Sequence, residues 1–224
     1  MNRNDKVKNI TKKYENRELP ALDMVSLDIQ DGEYISIMGK SGSGKSTLLN
    51  IIGTMDYATD GEYYYNDIAV HELSKKETHA FRREHVGFVF QNYSLMRQYT
   101  VYENVELPLI ARNVPKKERK KIIHEMLEFV GILDLENKKT TQISGGEQQR
   151  CAIARLMASG GDIILADEPT GALDYDTGMA IMELLENINK QGKTLIVITH
   201  DREIGSRADR TIWLADGKIV EETK

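Results

Sequence analysis

Three short stretches of this chain carry side chains at spacings suited to handling a triphosphate. Gly39-Lys40-Ser41-Gly42-Ser43-Gly44-Lys45-Ser46-Thr47 fits the pattern G-x-x-x-x-G-K-[ST]. Glycines in such a loop let backbone N–H groups close around a β-phosphate, and the helix that follows turns its positive N-terminal end to the same anion. Lys45 would set a charge against the β- and γ-phosphates. The Ser46 hydroxyl is short enough to reach Mg2+, and Thr47 supports the first helical turn. Asp167-Glu168 closes the apolar run 163–166 and places two carboxylates at the end of an expected strand. One suits Mg2+, held through water, and the other suits the polarisation of an attacking water. Alone, an Asp-Glu pair there serves equally as a helix cap, and the glycine loop alone leaves kinases, GTPases and ATPases open. Ser144-Gly145-Gly146, ahead of Glu147-Gln148-Gln149-Arg150, offers a second helix N-terminus with free N–H groups, and so a second phosphate site. A simple phosphate-transferring kinase has no need of it.

These groups have to be held by an alternation of strands and helices, which reads as an α/β domain with a largely parallel sheet. Residues 33–38 form a strand entering the glycine loop and 46–52 the helix leaving it. The runs 162–166 and 194–199 have the continuous apolar character of strands buried on both faces. Between them Ile181, Leu184, Leu185 and Ile188 recur at helical spacing, with Gly192 as a stop. Residues 21–29 and 61–70 look like short strands around turns such as Asp60-Gly61, a small antiparallel layer beside the main sheet. From 101 to 135 the pattern turns helical: Pro115 and a charged stretch start a helix with Ile122, Ile123, Met126, Leu127 and Val130 on one face. Its lysines read as a solvated face.

The chain has 224 residues, a net charge of -5 and a pI near 5.6, which is the wrong balance for a dedicated nucleic-acid binder. No segment approaches the roughly 18 apolar residues of a membrane span, and residues 1–13 are polar and basic, so a cytosolic chain is expected. The one cysteine, Cys151, has no disulfide partner and reads as a buried small side chain on the helix after Ser144.

In their order and spacing these motifs, with Gln91, His200 and the run Pro169-Thr170-Gly171-Ala172-Leu173-Asp174, resemble the nucleotide-binding subunit of an ATP-binding cassette (ABC) transporter. The resemblance implies a P-loop NTPase core of RecA type with a small antiparallel β layer and a helical subdomain insertion. It would form one ATP-binding domain over 1–224, with the core at about 1–92 and 157–224 and the helical signature subdomain at about 93–156. It further implies Glu168 as general base, His200 as the switch that hydrogen-bonds the γ-phosphate, and Gln91 as the group that touches Mg2+ and water and senses a membrane partner. Ser46 and Asp167 would hold Mg2+. Tyr14 would stack on adenine. Ser144, Gly145, Gly146 and Glu147 would reach the nucleotide of a second copy paired head to tail, and Asp174, in the family's D-loop, is also expected among the nucleotide-binding residues.

ATP and Mg2+ are thus the expected ligands. The expected partners are a second copy of the chain, an integral membrane permease and an extracytoplasmic adaptor, with the chain peripheral on the inner face of the membrane. The stretches 87–95, 100–109 and 166–174 resemble the branch of macrolide and antimicrobial-peptide exporters and lipoprotein-release systems. Two readings stand beside export: an ATPase that regulates a membrane-bound cell-wall hydrolase system, and a soluble cassette acting in iron–sulfur assembly, DNA repair or translation. The chain departs from the family at Ile143 and Glu147, where Leu and Gln are usual, and at Gly160-Gly161. The added carboxylate of Glu147 would either weaken the ATP-bound pair or accept a ribose hydroxyl.

Overall fold

The computed structural model describes residues 4–15 and 18–223. Ten strands and seven α-helices follow in the order β1 (Asn4–Lys12), β2 (Leu22–Gln30), β3 (Tyr34–Met38), α1 (Lys45–Ile52), β4 (Asp60–Tyr65), β5 (Ile68–Ala69), α2 (Lys75–His85), β6 (Val86–Phe90), α3 (Val101–Ala111), α4 (Lys116–Phe129), α5 (Gly145–Ser159), β7 (Ile163–Asp167), α6 (Tyr175–Asn189), β8 (Thr194–Ile198), α7 (Arg202–Gly205), β9 (Arg210–Ala215) and β10 (Lys218–Thr223), counted among the described residues. The main sheet has the order β10-β9-β3-β8-β7-β6, parallel except for β10. A second, antiparallel sheet has the order β2-β1-β4-β5.

Every residue of β3 and β8 is buried, as expected of central parallel strands covered on both faces. The alternation of their side chains divides the interior into two apolar clusters. Ile163, Leu165, Ile196 and Ile198 point into the one shared with α1 and the antiparallel sheet. Ile164, Ala166, Leu195 and Val197 point into the one shared with α3 to α6. The helical insertion therefore has no separate core: Leu109, Ile123, Leu127 and Ile153 belong to the same cluster as that sheet face. Of the apolar face expected on α4, Ile123, Leu127 and Val130 are fully buried, while Ile122 and Met126 are partly covered.

The sequence-based reading lacks β1, α2, the short α7 and both strands of the β9–β10 hairpin. Strand β1 sits in the middle of the antiparallel sheet, but a bulge at Asn9, with φ of 51°, breaks the alternation between Val7 and Ile10. Helix α2 buries only Thr78 and Phe81, too few to print a helical stripe, although its capping box of Ser74 and Glu77 is a helix-start signal. The β9–β10 hairpin turns at Asp216-Gly217, both with positive φ, a dipeptide that favours this turn.

Candidate functional site

The carboxyl ends of β3, β6, β7 and β8 lie side by side, and the four segments that leave them close an open cleft of about 690 Å³. Ligand sites of α/β sheets form at such ends. From β3 comes the glycine loop. Gly44 precedes α1 with φ of 105° and no side-chain cap, so the first N–H groups of the helix have no competing side chain. Glycine in place of a capping side chain costs only about a few tenths of a kcal/mol, and α1 buries Leu48, Leu49, Ile51 and Ile52, each contributing about 2 kcal/mol, so packing holds the uncapped helix. A Cβ on Gly44 would stand 2.4 Å from the Ala21 carbonyl oxygen, and one on Gly39 2.2 Å from that of Leu214. Backbone thus closes on backbone, and only glycine fits. Lys45 Nζ donates to the carbonyls of Gly39 (2.8 Å) and Lys40 (2.9 Å), which ties the ammonium to the rim of the loop.

From β7 come the two carboxylates. Burial together with the neighbouring Glu168 charge raises the Asp167 carboxyl above the usual range, against the opposing pull of the Ser46 hydroxyl and the Lys45 charge. Glu168 has left-handed backbone geometry, φ 48°, held by its N–H donating to Ile198 O (3.0 Å) and by Gly171 N–H donating to its carbonyl (3.1 Å). A non-glycine residue held there carries backbone strain that its surroundings must offset. It turns the Glu168 carboxylate to His200 Nδ1, 2.9 Å away. That hydrogen bond and the glutamate charge raise the His200 pKa, although the imidazole is largely exposed.

Gln91 follows β6 and also lines the cleft. Its amide rests on the turn after Glu168, since a Cβ on Gly171 would come within 2.8 Å of Gln91 Nε2. The loop beyond it is held from two sides. Tyr93 and Ser94 have φ of 61° and 47°, and Arg155 of α5 donates to both their carbonyls, at 3.1 and 2.7 Å. The fully buried Asn104 accepts from Met96 N–H and donates to Met96 O. On the outer side Met96 and Tyr99 are exposed, while Tyr93 and Leu95 are half-buried.

The structure brings Gly39, Ser41, Gly42, Gly44, Lys45, Ser46, Thr47, Gln91, Asp167, Glu168 and His200 to one cleft. Phe90 and Asn92 line it as well, which their place beside Gln91 signals. Lys40 and Ser43 line the neighbouring hollow on the far side of the loop. Four groups lie elsewhere. Tyr14 donates its hydroxyl to Asp56 (2.8 Å). Asp174 caps α6 by accepting from Thr177 N–H (3.0 Å). Ser144, Gly145 and Gly146 do not line the cleft; Ser144 caps α5, its hydroxyl accepting from Glu147 N–H (3.3 Å) while Glu147 Oε2 accepts from Ser144 N–H (2.7 Å). These bonds hold the Glu147 carboxyl below its usual range. Cys151 is buried and its thiol pushed up to about 12 by burial.

Ser46, Asp167 and Gln91 all offer oxygen donors on the same cleft, a set that suits Mg2+. Among the described residues no cluster of His, Cys, Asp or Glu could hold a metal by itself, so an ion here would take its other ligands from phosphate and water. Among the described residues, no helix is long and apolar enough to cross a membrane.

Comparison with known proteins bears directly on this geometry. The family model described as ABC transporter matches residues 22–171, more than half of the chain. An uncharacterised ABC transporter ATP-binding protein of Methanocaldococcus jannaschii, MJ0796, is 47% identical over 226 residues, covering 98% of this chain and 96% of its own length. The macrolide export ATP-binding/permease protein MacB of Brucella abortus is 46% identical over 220 residues, 97% of this chain but only 34% of that protein, so the chain spans about a third of that relative. A solved dimeric structure of the MJ0796 cassette in a post-hydrolysis state, bound to ADP and Pi, superposes with a TM-score of 0.91 at 46% identity, covering 98% of both chains.

Proposed function

The chain belongs to the ABC transporter family, as an ATP-hydrolysing subunit with the P-loop cassette fold, and on that premise we propose that it pairs head to tail around two MgATP and drives a separate membrane permease that exports or extrudes a peptide, drug or lipoprotein. The observation that carries the pairing is the split of its phosphate-binding ends: α1 opens into the cleft, whereas Ser144-Gly145-Gly146 lies outside it. A second copy would bring its own Ser144 end to the mouth of the cleft. The relatives that join such a cassette to a permease in one protein, such as MacB, support the export branch.

In this reading the glycine loop and Lys45 hold the β- and γ-phosphates through backbone N–H groups and one ammonium. Ser46, Asp167 and Gln91 would hold Mg2+, which neutralises charge on the phosphate oxygens. Glu168 orients the attacking water and takes its proton, and His200, paired with Glu168 at 2.9 Å, donates to the γ-phosphate. Excluding water requires the second subunit, because the isolated cleft is open.

Ser144→Arg abolishes hydrolysis and leaves ATP binding by the monomer intact. Mixed with Lys45→Ala subunits it regains part of the activity, since one of the two sites then has both halves unaltered. If Ser144→Arg loses ATP affinity as severely as Lys45→Ala does, the head-to-tail pairing is wrong. For the permease, Met96→Glu on the exposed side of the loop after Gln91 spares the ATPase of the free subunit and abolishes co-purification of the permease. Unchanged permease binding removes that surface from the coupling.

A further inference from the structure

The phosphate cleft leaves the base end of a nucleotide unassigned, and outside that cleft Lys12, Asp56 and Tyr14 form a bonded cluster. We propose that Lys12 and Asp56 are positioning residues that set the Tyr14 ring as a platform for the adenine base, in fixed register with the phosphate loop. The proposal rests on the assignment of Tyr14 to the base.

Tyr14 donates its hydroxyl to Asp56 Oδ2 at 2.8 Å. Lys12 donates to the other carboxylate oxygen, Oδ1, at 2.6 Å and to Tyr57 O at 2.7 Å. Its ammonium also stands over the Tyr14 ring, 4.9 Å from the centroid. One carboxylate and one ammonium thus fix the ring at its hydroxyl end and on one face. The residue stays 38% exposed, which leaves room for a second flat group. A cation on one face of an aromatic ring is attracted by its π-density, and an electron-rich purine on the opposite face completes a stack. Partial burial disfavours the Asp56 carboxylate, but hydrogen bonds from Lys12, Tyr14 and Tyr57 outweigh it and keep the carboxyl below its usual range.

The cluster is also tied to the phosphate end. Asp56 and Met55 N–H groups donate to Asn50 O within α1, so the carboxylate is an extension of the helix whose N-terminus opens on the cleft. Lys12 O accepts from Ala21 N–H at 2.7 Å, and the Ala21 carbonyl is the group packed against Gly44. Both ends of the segment bearing Tyr14 are therefore referenced to the glycine loop. A surface tyrosine that merely solvates its hydroxyl needs none of this.

The test compares MgATP with inorganic tripolyphosphate, which has the phosphates without the base, by calorimetric titration of the full chain. Tyr14→Ala weakens ATP roughly 10-fold and leaves tripolyphosphate unchanged. Asp56→Asn and Lys12→Met weaken ATP by roughly 3- to 10-fold, again without effect on tripolyphosphate. They raise KM while kcat at saturating ATP stays within about two-fold, and Lys12→Arg, which keeps the cation, restores most of the affinity. Should Asp56→Asn fail to fold, Tyr14→Phe, which removes only the hydroxyl contact, reads the same effect. If Tyr14→Ala weakens ATP but the Lys12 and Asp56 variants do not, the positioning role falls and the base assignment stands. If Tyr14→Ala has no effect, the base assignment itself falls. Equal losses for ATP and tripolyphosphate mark a general brace and overturn the proposal.

Discussion

Helices α1 and α5 both open on glycines, and they present their N-termini in opposite ways. At α1 the residue before the helix is Gly44, with no side chain to bond the first N–H groups. At α5 it is Ser144, and Ser144 and Glu147 close a reciprocal capping box over the first turn. The glycines differ in the same sense. Gly39 and Gly44 are locked against the backbone of Leu214 and Ala21, whereas a Cβ on Gly145 would meet the end of the Tyr93 side chain, at 2.8 Å from its hydroxyl. The α1 end is left uncapped and is shaped by backbone packing. The α5 end satisfies itself within the subunit, and its neighbour Tyr93 belongs to the loop that Arg155 and Asn104 hold beside the exposed Met96. The first end lines the cleft of its own subunit and the second does not, which is the asymmetry on which the proposed head-to-tail pairing rests.

The sharpest way to separate the two ends is to stop the chemistry. Glu168→Gln keeps the shape of the site and removes the base, so hydrolysis falls by roughly 10²- to 10⁴-fold while MgATP still binds and a dimer accumulates in ATP. Phosphate release and sedimentation in the presence of ATP read the two effects. Near wild-type turnover would take the general base away from Glu168.

The contrast in glycines predicts the next largest effect. Gly44→Ala puts a methyl group 2.4 Å from a carbonyl oxygen at a φ of 105°, and ATP affinity drops by about 100-fold or more as the loop reshapes. Gly145→Ala asks only a tyrosine side chain to move, and the monomer binds ATP with an affinity within about three-fold of the parent. Equal losses of ATP binding in the two variants would erase the distinction between a backbone-built and a side-chain-built end.

The smallest effect comes from Glu147, where the chain departs from the usual family pattern. Glu147→Gln retains an oxygen for the Ser144 N–H but removes a negative charge close to where the partner's nucleotide would lie. In the Glu168→Gln background the ATP-bound dimer tightens by roughly three- to ten-fold, a shift of about 1 kcal/mol. A weaker dimer instead would show that Glu147 contributes a bond to the nucleotide. The structure places that carboxylate on its own helix cap, a role that the spacing of Ser144 and Glu147 already encodes.

What the sequence determined by itself is whatever local spacing encodes. Nine consecutive residues from Gly39 to Thr47 specify a strand-to-helix turn of free N–H groups, and apolar runs ending in Asp167 and before His200 specify buried parallel strands with polar ends. Those patterns are legible because backbone hydrogen bonding and side-chain period act over a few residues. Where local pattern is weak, as at the bulged β1 and the polar α2, legibility stops. Only the tertiary structure decided that Glu168 adopts a left-handed turn against Ile198 and meets His200, that Tyr14 is tied to Asp56, and that Arg155 holds the loop after Gln91. Each of these joins residues some thirty or more positions apart, and such a contact exists only once the fold has brought those distant segments together.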